Sequence, residues 1–270
     1  MAIKIKSQAK DVSRPLSGDV RREFTDWLSG YGIEPDRRKG LIEGQIGRAT
    51  LLVDNRRKNL VWYMCWFDQE KPFGFFERYD TKERVEWRSE NSGSHRLTAQ
   101  QKEEIEKARE QVRMAQEIEH SKVSKKAQTM WDEAKPCDLH PYLEAKKVQS
   151  YGLKQYNDAL VIPAYNRDFA VQTLQFIGPD GQKRFLRGGK KKGGFFCIGK
   201  EHLDTAHIIN YAEGYATAAS YHEHRKEPVI VSFDAGNLPH VAEVIFSLYP
   251  QAKHVFIADF DESKTGERYA

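Results

Sequence analysis

A chain of 270 residues with 39% apolar and 30% charged residues, and a mean hydropathy of −0.72, has room for one large domain or two ordinary ones and needs no disulfide or metal staple to build a core. No apolar run approaches the roughly 18 residues that span a bilayer. The start MAIKIKSQAKDVSR lacks the apolar segment of a secretory signal, and Cys65, Cys137 and Cys197 stand singly, without a disulfide framework or a CxxC half-site. The composition predicts a protein of the reducing cytoplasm with no membrane partner.

Net charge is only +4, but it is unevenly spread. Residues 151–200 carry nine Lys/Arg against three Asp/Glu, and residues 201–270 carry five against eleven. Such a pair of blocks is either two solvated faces that attract each other or a phosphate-binding surface beside a metal-binding carboxylate cluster.

Residues 1–17 are polar and aperiodic, as in a loosely packed arm. Val20, Phe24, Trp27 and Leu28 then recur at i, i+4, i+7 and i+8, which predicts a helix over 19–29 stopped by Gly30 and Gly32. Residues 41–54, 59–67, 73–79 and 84–89 read as short strands, with breaks at DNRRKN and DQEKP, so residues 1–97 form a small N-terminal α+β domain. Residues 98–131 contain no Gly or Pro. Thr98 is a good N-cap, charged pairs recur at i, i+4, and Ile105, Ala108, Val112, Ala115 and Ile118 make a narrow apolar stripe. This is a linker helix, or two in tandem, with a seam too weak to favour a coiled-coil dimer. ALVIPAY, VQTLQFIG and KRFLRGG, with turns at NRD and PDG, predict a β-meander in a basic subdomain over 132–205. From residue 206 strands alternate with helices of 10–12 residues, HIINYAEG, YATAASYHEH, PVIVSFDAG, LPHVAEVIFSLY and HVFIADFDE, which predicts a parallel α/β sheet over 206–270. The fold class is therefore α/β plus α+β.

Ligand sites of open parallel sheets lie beyond the carboxyl ends of the strands. Three successive strands here end in acids: Glu213, then Asp234, then Asp259 and Asp261. Clustered carboxylates repel unless a cation sits among them, and an oxygen-only donor set suits Mg²⁺ or Mn²⁺. Taken singly, each acid is equally a solvated strand end, and Asp234 reads as well as a cap of the Ala235-Gly236-Asn237 turn. Lys183, Arg184, Arg187, Lys190, Lys191 and Lys192 supply either a phosphate-binding surface or a solubilising loop. Lys183 and Arg184 fall on a strand, whereas the glycine-flanked Lys190–Lys192 loop is expected to move. Phe185, Phe195, Phe196, Trp62, Trp66 and Trp87 fit core positions better than base-stacking platforms. Gly194-x4-Gly199-Lys200 approaches a P-loop, but Glu201 stands where Ser or Thr is required. Cys197, His202, His207 and His224 match no zinc spacing, so no zinc is expected.

AEGYATAAS followed by IADFDE resembles the Toprim domain of bacterial DnaG-type primases, topoisomerases and some nucleases, in which a glutamate after the first strand and a DxD after the third form the metal site. The corresponding positions are Glu213, followed by Gly214, and Asp259-Phe260-Asp261. The order His140–Leu143, Leu174–Leu186, Ala212–Gly214 and Phe233–Leu238 is most similar to primases of plasmids and phages, over about residues 130–270. Residues 18–95 resemble the N-terminal region of those proteins only loosely, through FGFFERYDTKERVEW. The Cys/His zinc module that opens DnaG-type primases has no counterpart. The chain also stops before the last strands of Toprim, so it is expected to be an N-terminal fragment of a longer protein, and such relatives often continue into a helicase.

The resemblance implies a primase module that makes RNA primers from NTPs on single-stranded DNA template, for plasmid or phage replication, by metal-dependent nucleotidyl transfer. Mg²⁺ or Mn²⁺ would be held by Glu213, Asp259 and Asp261, with Asp234 as a fourth catalytic group, while the six basic residues would bind triphosphate or template. A replicative helicase, in the same longer chain or in trans, is the implied partner. Two alternatives stand: a Toprim-type nuclease that activates water with the same acids, and a non-catalytic DNA-binding module of a larger replication protein. A type IA topoisomerase would need a tyrosine-bearing domain for which this chain has no room.

Overall fold

The computed structural model describes residues 20–36, 40–53, 56–67, 72–89 and 97–257, which cluster in two compact units, 1–114 and 115–270. Asp259 and Asp261 lie outside the described residues. Among those residues no helix is long and apolar enough to cross a membrane.

In the first unit, α1 (Val20–Gly30) precedes an antiparallel sheet whose strands follow chain order: β1 (Ile33–Pro35), β2 (Gly47–Val53), β3 (Arg56–Trp66), β4 (Phe73–Arg78) and β5 (Arg84–Arg88). The period-2 alternation of β3 sends Val61, Tyr63 and Cys65 to the face covered by Phe24 and Leu28 of α1, and Trp62, Met64 and Trp66 to the other. Trp62, Trp66 and Trp87 are all buried core residues, as their strand positions predict. The strand predicted from residue 41 begins only at Gly47. The preceding backbone is turned at Gly44, whose φ is +64° and whose amide donates to the Cys65 carbonyl at 3.0 Å.

The second face of this sheet is covered by the start of α2 (Ala99–Glu133). A capping box opens that helix: the Gln101 amide donates to Thr98 Oγ1 at 3.1 Å, and the Thr98 amide donates to Gln101 Oε1 at 3.0 Å. The predicted apolar stripe ends at Val112. Ile105 is 2% exposed, but Ala115 and Ile118 are exposed, Ile118 at 55%. The helix changes its packing partner along its length, so Val123 and Ala127 replace the earlier positions as its buried residues. A uniform 3.6-residue stripe cannot register such a change.

In the second unit, β6 (Lys135–Pro136), α3 (Pro141–Lys146), β7 (Lys154–Tyr156), β8 (Ala159–Tyr165), β9 (Val171–Ile177) and β10 (Lys183–Phe185) give an antiparallel sheet of order β10-β9-β8-β7-β6. α3 is set by His140, 3% exposed, whose Nδ1 accepts from the Tyr142 amide at 3.2 Å while Nε2 donates to the Asp158 carbonyl at 3.1 Å. Both ring nitrogens are thus used, and Pro141 at the first helical position loses no needed donor.

β11 (Phe196–Ile198), a 3-10 turn (Lys200–Thr205), β12 (Ile208–Ala212), α4 (Tyr215–Arg225), β13 (Val229–Val231), α5 (Leu238–Leu248) and β14 (Lys253–Ile257) complete the unit. Their sheet order is β11-β13-β12-β14, with β12 parallel to both β13 and β14. These are the three parallel strands and two intervening helices predicted from 206 onward. β11 joins as an antiparallel edge. Leu160, Ile162 and Ala164 of β8 share one core with Ala218 and Ala219 of α4 and Val229 and Val231 of β13. The opposite face of β8 and β9 packs on Ala127 of α2, and Ile209, Tyr211 and Ile230 pack on Val241 and Ile245 of α5.

The revised stripe of α2 predicts unequal costs along one helix. Ile105→Ala should lower stability by about 2–4 kcal/mol, whereas Ile118→Ala should change it by less than about 0.5 kcal/mol. Urea denaturation of the two variants measures this, and an equal cost at Ile118 would contradict the packing described.

Candidate active site

The site is built from strand ends. Ala212 of β12 pairs with Val231 of β13 and with Ile257 of β14, so β12 and β13 end at one level, which β14 reaches at the limit of the described residues. Glu213 follows that level directly and is half-buried; Gly214 is the N-cap of α4, in extended backbone and without a side-chain cap. The start of α4 is anchored by Tyr215, whose hydroxyl donates to the Gln149 carbonyl and accepts from the Tyr151 amide, each at 2.9 Å. Beyond β13, Phe233 is held at φ +72°, a conformation unfavourable for a bulky residue, by edge-on packing against Phe185 with centroids 5.3 Å apart. This bend delivers Asp234 to the same edge as Glu213. Among the described residues no group of three or more His, Cys, Asp or Glu is arranged to hold a metal.

Asp234 takes the capping part and adds an ion pair with the basic loop. Its Oδ1 accepts from the Asn237 amide at 3.0 Å and caps the turn, and its Oδ2 pairs closely with the Lys191 ammonium. The first basic residues are not brought together. Lys183 and Phe185 share one face of β10, and the Lys183 ammonium lies over the Tyr142 ring, 5.8 Å from its centroid, and 3.7 Å from where a Cβ on Gly214 would stand. Arg184 pairs in register with Phe176 and therefore faces the other side of the sheet.

Arg187, Lys190 and Lys192 are exposed on the loop that follows, and Lys191 is half-exposed. The backbone of this loop is held rather than loose. Gln172 Nε2 donates to the Lys190 carbonyl at 2.7 Å and the Lys192 carbonyl at 3.3 Å, and the Gly194 amide donates to the Lys191 carbonyl at 2.8 Å. The expected freedom of this segment is therefore confined to its side chains. Lys190 also lies close enough to His120 of α2 to oppose its protonation, after burial, the larger cause of a lowered pKa there.

A further lysine escaped the sequence reading. Lys146 of α3 lines, with Tyr142, Pro179, Asp180, Gly181 and Lys183, a cavity of about 390 Å³. Its signal was present in the basic pair Lys146-Lys147 directly after HPYLEA, but a two-lysine run in a charged chain carries little weight by itself. Burial raises the Tyr142 phenol above its ordinary pKa, while the Ala216 amide in the first turn of α4 acts in the opposite direction.

The decoys resolve structurally. The Lys200 ammonium lies 4.3 Å from the Phe169 ring centroid instead of facing a phosphate loop. Burial pushes the Cys197 thiol up to about 12. Phe195 and Phe196 are core residues, at 0% and 5% exposure.

No family model matches the chain. Over 250 residues it is 26% identical to an Escherichia coli protein named DNA primase TraC, covering 88% of this chain and 23% of that protein. A second E. coli protein of the same name is 37% identical over 131 residues, covering 45% of this chain and 9% of that protein. The chain is similar in sequence to proteins named DNA primase. It spans less than a quarter of the length of either of these curated relatives. Among solved structures, the primase fragment of the bacteriophage T7 primase-helicase protein superposes with a TM-score of 0.40 and 12% identity over 80% of each chain. The DnaG catalytic core does so with a TM-score of 0.32 and 9% identity, over 43% of this chain and 39% of that one. Similarities this distant place no residue.

The tight seat of the basic loop makes a prediction at Gly189. A Cβ there would stand 2.0 Å from Thr173 Oγ1 and 3.0 Å from the Leu186 carbonyl oxygen. Gly189→Ala should cost about 1–3 kcal/mol in denaturant unfolding and speed tryptic cleavage at Lys190–Lys192. Wild-type stability and cleavage would show that the loop is not seated as described.

Proposed function

We propose that the chain is the primase module of a longer DNA primase and makes RNA primers on single-stranded DNA by metal-dependent nucleotidyl transfer, in plasmid or phage replication. The observation that carries this reading is the half-buried Glu213 at the carboxyl edge of a parallel sheet, with the Lys183 ammonium beside Gly214 and the Lys191 ammonium at Asp234. The curated relatives named DNA primase support it.

Carboxylate donors alone suit a hard cation. Glu213, Asp259 and Asp261 are the residues assigned to hold Mg²⁺ or Mn²⁺. When bound, the ion supplies charge neutralisation to the triphosphate and a lowered pKa to the attacking hydroxyl. In the transfer, a 3′-hydroxyl oxygen forms a bond to the α-phosphorus while the bond to pyrophosphate breaks. Lys183, Lys191 and Lys192 bind the phosphate oxygens that gain charge as pyrophosphate leaves. Asp234 holds Lys191 at the edge beforehand. Arg184, on the opposite face of β10, together with Arg187 and Lys190, is assigned to the template backbone. A replicative helicase, in the longer chain or in trans, would expose that template.

The test is primer synthesis on single-stranded DNA with NTPs and Mg²⁺ or Mn²⁺. Glu213→Gln and Asp259→Asn should each slow synthesis at least about 100-fold while leaving DNA affinity within about twofold. Lys183→Ala should raise the NTP KM about tenfold. Arg184→Ala should leave that KM unchanged and make the log–log salt dependence of DNA binding shallower by about 0.7, the share of one contacted phosphate. Undiminished synthesis by Glu213→Gln would remove the metal assignment. DNA cleavage without synthesis by the unmodified chain would identify a nuclease.

A further inference from the structure

Asn237 is 2% exposed, and its whole side-chain amide is committed. Its Oδ1 accepts from the Gly193 amide at 2.9 Å, and its Nδ2 donates to the carbonyls of Gly194 at 3.0 Å and Ser232 at 2.8 Å. Its own backbone amide is the donor to Asp234 Oδ1. One buried side chain therefore ties the end of the basic loop to the segment that leaves β13, across 43 and 44 residues of sequence. Gly193 presents its amide to Asn237 at φ +70°, a conformation that glycine adopts without strain. Gln172 secures the other flank of the loop, so Lys191 and Lys192 are bracketed by backbone points fixed to two different strands.

A buried amide that forms all three of these bonds specifies one geometry, because any other leaves polar groups stranded away from water. The chemistry is also selective. The site needs one acceptor toward Gly193 and two donors toward carbonyls, which an asparagine supplies and an aspartate does not. For turn capping alone the Asp234 carboxylate suffices. The additional bonds to Gly193 and Gly194 fix the chain between the lysine loop and β11.

We propose that Asn237 is a positioning residue for nucleotide phosphate: it sets the separation between the Lys191–Lys192 ammonium groups and the carboxyl edge at Glu213. The proposal rests on the nucleotidyl-transfer reading given above and adds the residue that fixes the geometry of its cationic half.

A double-mutant cycle tests it on the full chain, with a fluorescent ATP analogue and Mg²⁺ as the binding probe and primer synthesis as the second readout. Asn237→Ala should weaken analogue binding and raise the NTP KM about tenfold, with kcat within about threefold. In a Lys191→Ala, Lys192→Ala background the same change should alter analogue affinity less than twofold, because the groups it positions are gone. A purely structural role would lower affinity equally in both backgrounds, and that result would overturn the proposal. If Asn237→Ala does not fold, Gly193→Ala takes its place with the same expectations, since a side chain at φ +70° displaces the loop without touching the amide. Clamp-dependent analogue binding without primer synthesis by the unmodified chain would overturn the primase reading alone. Analogue affinity indifferent to both Asn237 and Gly193 would overturn the clamp alone.

Discussion

The packing of β8 against α4 and β13 is the constraint on which the rest of the site depends. Leu160, Ile162 and Ala164 are fully buried against Ala218 and Ala219, two small residues on the helix that begins directly after Glu213. Small residues there let the helix lie close to the antiparallel sheet, and close packing leaves little freedom for relative shift. The basic strand β10 hangs from that sheet through β9, and the acid-bearing strand ends belong to the other sheet. One apolar core therefore fixes the separation of two oppositely charged surfaces that would otherwise be set by electrostatics alone.

Electrostatics then acts at short range and reversibly. The Lys191–Asp234 pair leaves its side chains 40% and 37% exposed, and pairs at such exposure contribute little net stability. That weakness suits a cation that exchanges one anionic partner for another. An ammonium released from Asp234 to a phosphate loses about as much as it gains in solvation, so the selectivity of the step comes from where the ammonium is held. The hydrogen bonds of Gln172 and Asn237 to the loop backbone do the holding. Strain at Phe233, offset by its packing on Phe185, points the Asp234 segment toward them.

The parallel half of the second unit was legible because each strand is a short apolar run closed by an acid, with helical spacing between the runs. Trp62, Trp66 and Trp87 were legible as core for a similar reason, since each sits within an alternating strand. Ala115 and Ile118 were misread because periodicity records which positions are apolar but not where a packing partner ends. Strand geometry alone separates Lys183 from Arg184, since neighbours on a strand face opposite sides. Lys146 and Asn237 were missed for a different reason. Each owes its place to contacts far away in sequence, Lys146 to the turn before β10 and Asn237 to Gly193, and no local pattern encodes such pairing. The resemblance to Toprim primases supplied the roles of the acids, and the curated relatives named DNA primase agree with it.

The central claim is that nucleotide and metal meet at the carboxyl edge of β12 and β13. Anomalous diffraction from crystals of the chain with Mn²⁺ and a non-hydrolysable NTP locates both directly. The account predicts a Mn²⁺ peak about 2.0–2.3 Å from a Glu213 carboxylate oxygen, with triphosphate oxygens in hydrogen-bond reach of Lys183 and of Lys191 or Lys192. A metal–nucleotide complex bound elsewhere, with Lys191 still paired to Asp234, would contradict it.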